Sequence, residues 1–295
     1  MTRCRTIQLP VCKSIANRLM LLQAIHHDPL LELSTDMPDD LFVMHHALTA
    51  LQQFDGNPLT LDLHDSGTAM RFLDVHLALH YPNQPITITG SKQLMSRRGK
   101  PTTQTASARI LEGFDDTNLS SPYIEMSRKM VQSYPDITLE RDWSSAAFWY
   151  EYMALHPSTE QTLLLNDLHR SSLQGDQLVA ALFEPLGVLT TYAPQGVVLS
   201  YTPSRNITHI RFDANLTPDL YPAFALTCER LGVTIELIGE QRLRYKESNR
   251  IEAVKLHQSC SDHRMAMALI AADLPCDDTE CIRKSYPSFL KQFVF

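Results

Sequence analysis

The chain has 295 residues, 44% of them hydrophobic and 20% charged, a composition that suits one large domain or two of medium size. Its 26 Lys and Arg stand against 33 Asp and Glu, a formal net charge of −7; this excludes a general nucleic-acid binder with an overall basic surface, while leaving room for a local cationic pocket. No run of about 18 apolar residues occurs, so no membrane span is expected.

Residues 5–9 read as a short strand ending at Pro10. From Ser14 the pattern turns helical, with Ile15, Leu19, Leu22 and Ile25 at three- and four-residue steps, and Ser14 is the expected N-cap. A helix is predicted from about Asp40 to Gln53, closed by the turn Asp55-Gly56-Asn57-Pro58. Leu59–Leu63 alternates as a strand, Asp65-Ser66-Gly67-Thr68 leads into an apolar helix from Ala69 to His80, and Pro85–Gly90 is a further strand and turn. The second half repeats this grammar. A strand at Leu163–Leu165 leads through Ser171–Asp176 to a helix ending near Leu186-Gly187. Strands follow at Gly196–Ser200 and Ile210–Asp213, then a helix opened by Pro218 that runs to Leu231, then a strand at Thr234–Ile238. Strands alternating with helices predict an α/β or α+β fold.

The N-terminal ten residues have no apolar h-region, so no secretory signal and a cytoplasmic location are expected. Six scattered cysteines, Cys4, Cys12, Cys228, Cys260, Cys276 and Cys281, form no C-x-x-C pair, which predicts reduced thiols and neither a zinc site nor a disulfide framework.

The basic residues gather at helix starts. Lys13 and Ser14 follow a strand, and Arg18 shares a helical face with Ser14; first-turn amides, a hydroxyl and two cations there make an anion site. Gly67-Thr68 precedes a helix with Arg71 one turn on, and a glycine there lets backbone approach a ligand. Lys246 and Arg250 are expected on one helix face with Glu247 beside them, and a carboxylate between cations stays ionised and can pass a proton. Arg264 in Asp262-His263-Arg264 stands at a helix N-terminus, where the dipole opposes a cation, and His263 reads as a buried, hydrogen-bonded imidazole. Lys284-Ser285-Tyr286-Pro287 follows a strand-like Cys281-Ile282-Arg283. Cations at several helix starts of an acidic protein suit a substrate with more than one anionic group.

Taken in order, these motifs resemble the EPSP synthase (3-phosphoshikimate 1-carboxyvinyltransferase) family. The family's L-P-x-S-K-S-x-S-N-R is similar to Leu9–Arg18, its N-A-G-T-A-M-R to Asp65–Arg71, and its S-x-P-Y-I to Ser120–Ile124. Its D-x-S-S/A-A matches Asp142–Ala146, its Q-G-D matches Gln174–Asp176, and the P-D of a catalytic helix matches Pro218-Asp219. L-R-x-K-E-S/T-D-R resembles Leu243–Arg250, D-H-R-M-A-M is intact at Asp262–Met267, and K-S/T-F/Y-P matches Lys284–Pro287.

The resemblance implies transfer of the enolpyruvyl group of phosphoenolpyruvate to the 5-hydroxyl of shikimate 3-phosphate, in aromatic amino-acid biosynthesis. It implies phosphoenolpyruvate at Lys13, Gly67, Arg97, Arg250, Arg264 and Lys284. It places shikimate 3-phosphate at Lys13, Ser14, Arg18, Ser120, Tyr123, Asp219 and Lys246, with Asp219, Glu247 and Lys13 catalytic. It further implies no metal or organic cofactor, small-molecule substrates rather than nucleic acid or membrane as partners, and a monomer. The implied fold is two-lobed, of repeated βαβαββ units, with residues 12–137 as one lobe and residues 1–11 plus 138–295 as the other.

The sequence also departs from the family. Only Gly90 and Arg97 of the G-D/E-P-R-M-x-x-R-P motif stay in register, with Gln93 for its first arginine and Arg98 for its proline. Asn249 replaces an aspartate, and Leu41 replaces a threonine. About one repeat unit with an S-S-Q motif has no counterpart between Leu111 and Ser120, and strands are missing between Val254 and Asp262. Loss of a unit should expose apolar helix faces. A non-catalytic or impaired relative that binds an anionic ligand is therefore the alternative. The sister enzyme acting on UDP-N-acetylglucosamine uses a loop cysteine of the first lobe, and no cysteine lies between Cys12 and Cys228.

Overall fold

The computed structural model describes residues 3–99, 103–115, 121–158, 161–203, 207–244 and 246–293. Two units emerge, Met1–Val11 with Glu140–Phe295 (unit 1) and Cys12–Leu139 (unit 2). The mixture of helices and sheets is the α/β class that the strand–helix alternation predicts.

Unit 1 is built on a four-stranded sheet whose members lie in the order Arg3–Ile7, Gln161–Asn166, Gly196–Tyr201, Val188–Ala193. The first pair is parallel and the other two are antiparallel. Leu163, Leu165, Val197 and Leu199 point to one face and are fully buried, the period-two pattern of a half-buried sheet. Gly196 has φ +143° and a Cβ there would lie 2.1 Å from the Leu165 carbonyl oxygen, so the start of its strand requires glycine. The helix Trp143–Leu155 is apolar around most of its circumference, and twelve of its thirteen residues, Trp143–Ala154, are buried, as a central helix should be. It packs in one core with the helices Tyr221–Leu231 and His263–Ala271. A second parallel pair, His209–Asp213 and Thr234–Ile238, is connected by Tyr221–Leu231. That helix ends at Gly232 in the left-handed conformation, a residue with no Cβ penalty.

Unit 2 holds, among the described residues, one β-α-β element: parallel strands Leu59–Asp62 and Ile86–Thr89 joined by the helix Gly67–His80. Helices Lys13–Ile25, Asp39–Gln52 and Thr103–Leu111 pack with it, Pro122–Ser133 packs on the first and last of these, and Lys92–Ser96 adds a short turn of helix.

Several local expectations are corrected. Cys12, not Ser14, precedes the first helix, and Ser14 lies inside it, because the helix hydrogen bonds already begin with Ala16 N–H to the Cys12 carbonyl at 2.9 Å. Pro218 and Asp219 sit in a turn ahead of the helix, which starts at Tyr221. Lys246 and Glu247 precede the helix Arg250–Leu256 rather than sharing a face of it. Glu280–Lys284 is a 3-10 turn, not a strand. The predicted helix after Ser171 is shorter, a 3-10 turn Gly175–Leu178 continued by Val179–Phe183, and the strand Val188–Ala193 follows it. Residues 257–262 form a tight turn in which His257, Cys260 and Ser261 have φ +51°, +50° and +54°. Asp277 Oδ1 accepts from Ser259 N at 2.8 Å and braces that turn, which leads directly into the helix His263–Ala271.

Candidate functional site

In unit 1 the hub is Asp219, placed in the turn before Tyr221 and 14% exposed at its side chain. Its Oδ1 receives Arg250 Nη1 at 2.7 Å and Lys246 Nζ at 3.2 Å, and its Oδ2 faces Arg264 Nη2 at 3.2 Å. Arg250 is itself buried and divides its donors. Nη1 also reaches the Pro218 carbonyl at 3.0 Å, and Nε bonds Asp262 Oδ2 at 2.9 Å. Asp262 caps the next helix by accepting from the Arg264 amide at 3.0 Å. Arg264 can therefore sit in the first turn, where the dipole opposes a cation, because Asp262 and Asp219 supply the opposing negative charge. On the other side of His263, Glu247 Oε2 pairs with His263 Nδ1 at 2.7 Å and Glu247 Oε1 with Lys284 Nζ at 2.8 Å.

The electrostatics follow from burial and charge together. Burial alone would raise Asp219, but Arg264, Lys246 and Arg250 outweigh it and hold the carboxylate well below its ordinary range. Asp262 is depressed in the same way, its burial overcome by Arg250. Burial lowers Lys246, with Asp219 opposing the shift. Asp176, buried and bonded by the Ser144 hydroxyl, goes the other way: burial and the charge of Asp219 push it up to about 7. Glu247, Asp262 and His263 have ligand atoms within 4.8 Å of one another. Lys284 and Arg250 already contact two of the three, so a divalent cation there would meet fixed positive charge.

In unit 2 the predicted residues form separate contacts. Lys13 Nζ bonds Asp40 Oδ2 at 2.7 Å. Arg18 is buried, bonding Ser127 Oγ at 2.9 Å and the Ser14 carbonyl at 2.8 Å, and its guanidinium carbon lies 5.7 Å from the Tyr123 ring and 5.2 Å from Phe72. Burial lowers Arg18 to about 10. At Gly67, Arg71 Nη1 bonds the carbonyl at 3.0 Å, and a Cβ would lie 3.0 Å from that nitrogen and 3.9 Å from Arg97 Nη2. The absent side chain lets the Arg71 guanidinium close on the start of the helix, with Arg97 beside it. Burial and the neighbouring Arg97 both lower Arg71. Ser120 lies outside the described residues; Ser121 caps the following helix by accepting from Ile124 N.

The structure thus joins Asp219, Lys246, Glu247, Arg250, Arg264 and Lys284 through Asp262 and His263 in unit 1. In unit 2 it joins Ser14, Arg18 and Tyr123 in one contact set and Gly67 and Arg97 in another. Sequence reasoning gave no role to Asp176, Asp262 or Asp40. The Q-G-D and D-H-R motifs carried a signal for the first two, whereas nothing local marks Asp40 as the partner of Lys13.

The family model for EPSP synthase (3-phosphoshikimate 1-carboxyvinyltransferase) matches residues 117–257. A 3-phosphoshikimate 1-carboxyvinyltransferase of Bacteroides fragilis is 28% identical over 399 aligned positions that cover 96% of this chain and 93% of that protein. Because 399 positions exceed the 295 residues of the chain, the relative has internal residues that face gaps here. Proteins of the same name from Clostridium kluyveri and Clostridium beijerinckii are each 29% identical, over 59% and 63% of the chain and 47% and 50% of their own lengths.

Proposed function

Since the chain belongs to the EPSP synthase family, we propose that it transfers the enolpyruvyl group of phosphoenolpyruvate to the 5-hydroxyl of shikimate 3-phosphate and releases phosphate. The observation that carries this is the ion network of unit 1. Asp219 and Glu247 are each held by cations, Asp219 by Lys246, Arg250 and Arg264 and Glu247 by Lys284. A protein that only bound an anion would need the cations but has little use for both carboxylates.

In this reading Arg250, Arg264 and Lys284 of unit 1 take phosphoenolpyruvate, while Lys246 and Asp219 take shikimate 3-phosphate. Of unit 2, Lys13, Gly67 and Arg97 are assigned to phosphoenolpyruvate, and Lys13, Ser14, Arg18, Ser120 and Tyr123 to shikimate 3-phosphate. The acceptor hydroxyl loses its proton and its oxygen bonds to C2 of phosphoenolpyruvate as the methylene carbon gains a proton. The tetrahedral adduct then loses a methyl proton and phosphate, which restores the carbon–carbon double bond and leaves the new vinyl ether. Asp219 and Glu247 are the acid/base pair, with Lys13 near the transferred protons. The resting network explains how Asp219 could serve as a base. Anionic substrate draws Arg264 and Lys246 away from it, and the loss of those neighbours raises its proton affinity. His263, fixed on Glu247 at 2.7 Å, orients that carboxylate.

The test is phosphate release from phosphoenolpyruvate plus shikimate 3-phosphate, with formation of the enolpyruvyl ether followed by mass spectrometry. Release and product together support the enzyme. A second reading, an impaired relative that binds one anionic ligand, is favoured by the internal gaps against the Bacteroides fragilis relative. Retained phosphoenolpyruvate binding with no release above background would establish it and overturn the first.

A further inference from the structure

Unit 2 carries a cluster that the proposed reaction does not use. His76 and His80 stand four residues apart on the helix Gly67–His80, so their rings lie on one face, with centroids 4.6 Å apart. Glu112 follows the helix Thr103–Leu111 directly, and its side chain is 1% exposed. Its Oε1 meets His76 Nδ1 at 2.7 Å and its Oε2 meets His80 Nε2 at 2.7 Å. We propose that His76, His80 and Glu112 form a three-ligand site for a divalent transition metal of the zinc type.

Three features argue for it. The donor set of two imidazole nitrogens and a carboxylate oxygen suits zinc and its neighbours in the first transition row better than magnesium or calcium, which take all-oxygen shells. The atoms are gathered already: one from each residue falls within 4.8 Å of the others. Metal–ligand bonds of about 2.0–2.2 Å in a tetrahedron put ligand atoms about 3.3 Å apart, so the 2.7 Å contacts need only widen slightly to admit an ion. The burial is also graded. His76 and Glu112 are 5% and 1% exposed at their side chains, while His80 is 44% exposed and ends its helix. That leaves a path for entry and an outward fourth position for water.

The Glu112 carboxylate is buried against the two imidazoles. Its partners among the described residues are those two imidazoles rather than a permanent cation. A bound ion would supply the charge and clip together residues 36 apart in sequence. That would tie the end of the helix Thr103–Leu111 to the helix Gly67–His80 and favour the folded state.

The test is titration of the chelator-treated full chain with Zn²⁺ alone, followed by calorimetry and thermal unfolding, and with Co²⁺ alone, followed by visible absorption. The expected result is one equivalent bound, a raised unfolding temperature with Zn²⁺ and the absorption of four-coordinate Co²⁺. His80→Ala, chosen because the side chain is partly exposed, should fold as the parent does and bind Zn²⁺ at least about 100-fold more weakly, the loss of a direct ligand exceeding that of an outer-shell partner. Glu112→Gln should show the same loss. No binding at micromolar Zn²⁺, or equal binding by the parent and His80→Ala, would overturn the site.

Discussion

Lys284 Nζ stands 2.8 Å from Glu247 Oε1, while the other oxygen of the same carboxylate holds His263 Nδ1 at 2.7 Å. The carboxylate is 19% exposed, so one residue is at once fixed from two sides and open to a reactant. Glu247→Gln keeps the shape and removes the exchangeable charge. If Glu247 moves a proton, turnover in the phosphate-release assay should fall by at least about 100-fold, the usual scale for a general acid or base. KM for both substrates should change far less. A mutant with unchanged turnover would remove Glu247 from the mechanism.

Arg250 pairs with two carboxylates at once, Asp219 at 2.7 Å and the fully buried Asp262 at 2.9 Å. Arg250→Ala leaves Asp219 with Lys246 and Arg264 but strands Asp262, and removal of one partner from a buried ion pair costs about 3–5 kcal/mol. Urea unfolding should show a loss of that order. Arg250→Ala combined with Asp262→Asn should recover part of it, since the stranded charge is then gone. A loss below about 1 kcal/mol would mean that water reaches these groups.

Glu151 lies in the middle of the buried helix Trp143–Leu155, and both its oxygens are without a hydrogen-bond partner among the described residues. Burial raises its proton affinity well above the ordinary carboxyl value of 4.5. A group raised in the folded state favours folding fully below its unfolded pKa, and that contribution is lost as pH climbs toward the folded value. Wild-type stability should therefore decline above pH 4.5 by up to about 1.4 kcal/mol per pH unit from this group. Glu151→Gln should flatten that decline between acidic and neutral pH, read by denaturant titration at each pH. Parallel profiles for the two proteins would show that Glu151 is not held neutral.

A Cβ at Gly67 would lie 3.0 Å from Arg71 Nη1, the far end of a flexible side chain. Gly67→Ala should accordingly cost little stability, under about 1 kcal/mol, but displace the guanidinium of Arg71, beside which Arg97 stands, from the helix start. If these groups meet phosphoenolpyruvate, its KM should rise several-fold with the shikimate 3-phosphate KM nearly fixed. Equal change in both constants would argue for a general distortion instead.

Asp176, pushed up to about 7 by burial and by Asp219, should appear as a carboxyl titrating near neutrality in carbon-detected NMR. Asp176→Asn should abolish that transition. Its persistence in the variant would assign it to another group.

The sequence by itself determined the alternation of strands and helices, because periodicities of two and of three to four residues report which face is buried without reference to the rest of the chain. Helix Gly67–His80 and the strands Leu59–Asp62 and Thr234–Ile238 were legible in this way to within two residues. The linear motifs also marked Asp219, Glu247, Arg250 and Arg264 as chemistry-bearing. Only the tertiary structure decided how they interact. Lys246 and Arg250 reach Asp219 from a loop and a helix start rather than from one helical face, and Asp262 serves as cap and counter-charge together. Pairings such as Lys13 with Asp40 and His76 with Glu112 join residues 27 and 36 apart. Local periodicity carries no record of them, because such contacts form through the packing of whole elements, and the burial that sets each charge's energy exists only once the elements have met.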